Sequence, residues 1–126
     1  MKHFIAILLL LSFVGASAQK KELLEDKEAI LARADQALDA AMLPGGALYE
    51  TVLKEQLKGK YLLQVSFREK GDICSVFVAH AEHQDIRSQN RFKDLVHLVE
   101  LPFKMPKGRQ YRIEKTFDLD RITTSQ

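Results

Sequence analysis

Between residues 20 and 67 the spacing of apolar side chains changes from that of a helix to that of a strand, and this switch restricts the chain to a mixed architecture. Residues 20–43, KKELLEDKEAILARADQALDAAML, contain neither glycine nor proline. Leu24, Leu31 and Leu38 recur every seven positions, with Ala34 and Ala41 on the same stripe and Leu23, Ile30 and Ala37 beside it. Positions three, four and seven apart share one face of a helix, so the spacing predicts an amphipathic helix ended by Pro44-Gly45-Gly46. In KYLLQVSFRE the period falls to two. Tyr61, Leu63, Val65 and Phe67 then lie on one side of a strand, with Leu62, Gln64, Ser66 and Arg68 on the other.

The remaining segments extend this pattern. ALYETVLKEQLKG predicts a short helix with Leu48, Val52 and Leu57 roughly on one side, or else an extended piece. Lys70-Gly71-Asp72 reads as a turn into a returning strand, Ile73 to Ala81, which makes an antiparallel hairpin. Ser88 is the expected N-cap of QNRFKDLVHLVEL, where Phe92, Leu95, Val96 and Val99 form a helical face that Pro102 stops. PFKMPKGR reads as a turn, and RQYRIEKTFDLD alternates again. Tyr111, Ile113, Phe117 and Leu119 face inward, while Gln110, Arg112, Glu114, Thr116 and Asp118 face outward. Lys115 interrupts the inward row, as charges do in natural edge strands. The expected fold class is α+β: an antiparallel β-β-α-β module over residues 47–120, preceded by the amphipathic helix and break of residues 19–46 and followed by a polar tail, 121–126.

The N-terminus, MKHFIAILLLLSFVGASAQ, has the layout of a secretory signal peptide: Lys2, an apolar run from Phe4 to Leu11, and small residues Ala16-Ser17-Ala18. The run is short of the roughly 20 apolar residues of a membrane-spanning helix. Cleavage is expected after about Ala18, with the mature chain periplasmic or secreted and without a stable membrane span. Cys74 is the single cysteine, so no intramolecular disulfide is available and packing must hold the domain together. It lies in an apolar run, ICSVFVA, that suits a small buried thiol. Of the 19 basic groups, loss of Lys2 leaves 18 against 17 acidic ones, a balance that offers no field for nucleic acid.

Reactive clusters are sparse. His80 and His83 flank Glu82 in AHAEHQD, and His97 lies on the following helix. Zinc needs converging ligands, whereas positions three apart on a strand point to opposite faces, so these residues are only a weak metal alternative. No Gly-rich phosphate loop and no nucleophile with a paired base is recognisable. We therefore expect a non-enzymatic chain with no cofactor. A small sheet leaves unpaired backbone groups at its rims, where a peptide strand or a second copy of the chain can dock. The last strand is the expected docking edge: Arg109, Tyr111, Arg112, Ile113, Glu114, Lys115, Thr116 and Phe117, with Arg112, Glu114 and Thr116 tuning selection. The alternative is a carrier that holds a small apolar ligand between the leading helix and the sheet.

From Gly59 to about Leu119 the chain resembles the C-terminal domain of TonB and its relatives. The resemblance rests on GKYLLQVSF with REKGDI after it, on ICSVFVAHA, and on LPFKMPKGRQYRIEKTFDL, a segment in which prolines and a glycine precede the last strand. It implies a domain that captures a short strand from a protein of the cell envelope. The tyrosine-proline lead-in to the first strand, the tryptophan and the proline-rich spacer of that family are absent, so the expectation is a relative that keeps strand capture or self-pairing without force transmission.

Overall fold

Four side chains of one strand, Tyr61, Leu63, Val65 and Phe67, are fully buried and form the floor on which the rest is assembled. Burying an aliphatic or aromatic side chain contributes about 1.5–3 kcal/mol, so this row is a main source of stability. The computed structural model describes residues 21–124, and the expected signal peptide lies outside them. In chain order the elements are β1 (Glu22–Leu23), α1 (Lys27–Ala41), α2 (Ala47–Glu55), β2 (Lys60–Arg68), β3 (Ile73–Glu82), α3 (Ile86–His97), β4 (Phe103–Lys104), β5 (Gln110–Asp118) and α4 (Leu119–Thr124). The class is α+β: a three-stranded antiparallel sheet ordered β3-β2-β5, and a small parallel pair, β1 with β4. No helix among the described residues is long and apolar enough to cross a membrane.

The hairpin of β2 and β3 forms as its alternation predicts. It turns through Gly71, whose φ of 82° lies in the left-handed region. A Cβ there would stand 2.6 Å from the carbonyl oxygens of Leu101 and Phe103, so the chain after α3 crosses close over the turn. Gly71 itself accepts from the Leu101 N–H at 2.9 Å. Arg68 clamps the turn by two hydrogen bonds to Asp72, which hold the Asp72 carboxyl below its usual range.

Both long helices lie on the buried face of the sheet. In α1 the stripe centres on Ile30, Ala34 and Leu38, all fully buried, with Leu31, Ala37 and Ala41 at its margins. α1 covers β5 and α3 covers β3. Phe92 of α3 meets Phe117 of β5 edge to face, with ring centroids 5.2 Å apart. One core cluster runs from Ile30 to Ile122, so the leading helix belongs to the same core as the module behind it.

Several boundaries depart from expectation. The leading helix starts at Lys27 because Asp26 caps it, accepting from the Ala29 N–H at 3.0 Å. Residues 22–23 run extended against β4 instead, a pairing that their helical spacing concealed. The third helix starts at Ile86. Its cap is Asp85, which accepts from the Ser88 N–H at 3.1 Å, while Ser88 is fully buried in the first turn. The Ser88 hydroxyl donates to Asp85 at 2.6 Å and accepts from the Lys58 N–H at 3.1 Å, tying α3 to the chain entering β2. Part of the expected polar tail is α4: Ile122 is buried in the core, and Asp120 accepts from the Gly59 N–H at 2.8 Å.

Candidate functional site: the edge of β5

β2 lies in the middle of the sheet, so β3 and β5 are its two edges. β5 pairs with β2 through nine consecutive positions, from Lys60 opposite Asp118 to Arg68 opposite Gln110, without a register shift. The Leu119 N–H donates to the Gly59 carbonyl at 2.9 Å, one step beyond this ladder. Antiparallel strands exchange bonds at alternate residues. Tyr111, Ile113, Lys115 and Phe117 therefore bond to β2, and the backbone N–H and C=O groups of Gln110, Arg112, Glu114, Thr116 and Asp118 point to the open rim. Among the described residues no strand pairs with that rim.

The residues expected to dock fall into two sets. Arg112, Glu114 and Thr116 are exposed on the outer face of the sheet. Gln64, opposite Glu114, bridges two of them: its amide donates to Glu114 at 2.9 Å and accepts from Arg112 at 3.3 Å. The other set faces the helices. Tyr111 and Ile113 are half-buried and Phe117 is buried. Arg109 precedes the strand and donates to the Tyr111 hydroxyl at 3.0 Å.

Lys115 carries the main electrostatic feature of the site. Its side chain is 13 % exposed, turned inward, and its ammonium lies 2.8 Å from Asp35 and 2.7 Å from Asp39 of α1. Burial alone pushes its pKa down, but the hydrogen bonds to the two carboxylates outweigh it and the net direction is up. An inward charge is one of the devices that discourage unwanted pairing at an edge. The two aspartates were not singled out in the sequence, although their i, i+4 spacing opposite a lysine in a strand pattern was a usable signal. Beyond Lys115 the rim borders an open groove lined by Asp39, Met42, Leu43, Tyr49, Phe117 and Ile122.

The histidines do not converge. His80 is an exposed residue of β3 opposite Leu62, and His97 sits in the last turn of α3. His83 occupies a left-handed turn with φ 52°, its Nδ1 3.4 Å from a carboxylate oxygen of Asp120. No group of three or more histidine, cysteine, aspartate or glutamate side chains among the described residues is placed to hold a metal ion. Cys74 is half-buried, and its thiol reaches the Ser66 carbonyl at 3.5 Å. Between α1 and the sheet, where an apolar ligand was the alternative expectation, Ile30, Ala34 and Leu38 are buried in the same core cluster as the β2 row.

Comparison with known proteins adds no relative: no family model, no curated protein and no solved structure matches the chain.

Proposed function

We propose that this is a non-enzymatic protein-contact domain of the cell envelope that binds an extended strand, from another protein or from a second copy, along the rim of β5. The observation that carries the reading is the run of backbone donors and acceptors on Arg112, Glu114 and Thr116, left over by a ladder with no irregularity. A strand laid against them gains hydrogen bonds from the backbone and discrimination from alternate side chains. The resemblance of Gly59 to Leu119 to the TonB C-terminal domain supports the same mode. The leader sequence supports export, and with it a periplasmic or secreted setting.

The test is site-specific photocrosslinking in envelope preparations, with p-benzoylphenylalanine at Thr116 or, as the comparison, at Phe77 on the opposite edge. Crosslinked species that form from Thr116 and not from Phe77 are expected. Adducts only from Phe77, or none from either position, would remove the basis for the reading.

A further inference from the structure

We infer that the strand which completes β5 is β5 of a second copy, aligned so that Ile113 of one chain lies opposite Ile113 of the other. The inference rests on the proposed edge pairing and names its partner. Two identical strands related by a twofold axis pair antiparallel, so every register is defined by the residue on the axis. A register centred on Glu114 places two carboxylates face to face, one centred on Arg112 does the same with two guanidinium groups, and one centred on Lys115 leaves Glu114 opposite the uncharged Thr116. Like charges directly opposite are destabilising. Centring on Ile113 sets Arg112 opposite Glu114 twice, once on each side of the axis, and Gln110 opposite Thr116.

The backbone agrees with this register. Arg112 and Glu114 both direct their N–H and C=O groups to the rim, as established by the bond from Leu119 to Gly59. Opposing them therefore gives pairs that exchange both hydrogen bonds, whereas Ile113 meets its copy at a closely spaced position without such bonds. On the helix side Tyr111 falls opposite Lys115. Arg109 falls opposite Phe117, beside the groove that Asp39 lines. Within one chain Arg112 and Glu114 point along the same face and are linked only through Gln64, so both remain available to a facing strand. The product is a six-stranded sheet with β3 of each copy at its ends.

Charge reversal tests the register in the full-length chain. Arg112→Glu and Glu114→Arg each convert both cross-strand pairs to like charges, and each should raise the dimer dissociation constant about tenfold or more in sedimentation equilibrium. The double reversal Arg112→Glu with Glu114→Arg restores complementarity and should recover the dimer. A mixture of the two single variants should form heterodimers more readily than either forms homodimers. Both positions are exposed, and circular dichroism checks that the variants fold. A second readout is disulfide formation between copies carrying Ile113→Cys in a Cys74→Ser background, expected at position 113 and not for Glu114→Cys.

Single and double reversals with equal dissociation constants would overturn the register. A wild-type chain that stays monomeric while Thr116 still crosslinks to an envelope protein would overturn the second copy as partner and leave edge pairing standing. A dimer insensitive to the reversals, together with no adduct from Thr116, would overturn both.

Discussion

The two edges of the sheet are built differently. β3 departs from regular pairing twice: Ala79 is the extra residue between Leu62 opposite His80 and Leu63 opposite Val78, and Cys74 is the extra residue between Ser66 opposite Ser75 and Phe67 opposite Ile73. Each bulge bends and twists the strand and disturbs the line of donors a visitor would use. β5 has nine pairs in unbroken register, and its single guard is the inward Lys115. One edge is closed by its backbone. The other keeps a straight ladder and is restrained by a side chain, which is why the proposed contact is placed at β5.

The strongest way to break that contrast is to detach the regular edge from the core. Phe117 is the most deeply buried residue of β5 and stacks edge to face on Phe92. Phe117→Ala should destabilise the domain by about 3–5 kcal/mol in urea denaturation, and self-association should fall with it. A loss below about 1 kcal/mol would mean that β5 is held by its ladder alone.

A smaller loss is expected on the other side. Gly71→Ala forces a Cβ into a left-handed turn and against the carbonyls of Leu101 and Phe103. It should cost about 2 kcal/mol or more. Because the turn joins β2 to β3 and lies away from the rim of β5, folded Gly71→Ala protein should dimerise with wild-type affinity.

The parts of this architecture that were legible in the chain are those set by apolar period. Tyr61, Leu63, Val65 and Phe67 announced the central strand, and Phe92 with Val96 announced the helix over β3. β1 and β4 were not legible, because two-residue strands are too short to show a period and their pairing depends on chain segments 81 positions apart. The Asp85 cap was hidden by Ser88, an equally good capping residue three positions on, which tertiary contact with Lys58 drew into the core. α4 was concealed by its polar residues, since among its described side chains only Leu119 and Ile122 are buried. The edge character of β5 showed through Lys115, but the strand order did not: nothing local to a strand states which neighbour it will have.

Lys115→Met probes the guard itself. The pair with Asp35 and Asp39 is partly exposed on the aspartate side, so the stability change should be within about 1 kcal/mol. The larger effect should be on pairing, with disulfide trapping showing registers other than the one centred on Ile113 once the inward charge is gone. The pH dependence has a definite sign. A lysine whose pKa rises on folding adds stability that is complete below its ordinary value of 10.5 and fades as pH climbs through the folded value. Wild type should therefore lose stability above about pH 10.5, and Lys115→Met should lack that component.

The smallest effect, and the one that sharpens the contrast most, is expected at Phe77. It is 62 % exposed on the outer face of β3, opposite Gln64, and is the obvious apolar feature of the bulged edge. Exposed apolar residues standing singly are ordinary on protein surfaces. With little burial to lose, Phe77→Ser should alter stability by no more than about 0.5 kcal/mol. If the bulges close β3, the same substitution should leave the dimer dissociation constant unchanged, whereas Arg112→Glu, an exposed change of similar structural cost, should raise it. Sedimentation of the two variants side by side separates a surface that is merely apolar from one whose backbone is free to pair. Weakened association in Phe77→Ser with none in Arg112→Glu would exchange the roles of the two edges.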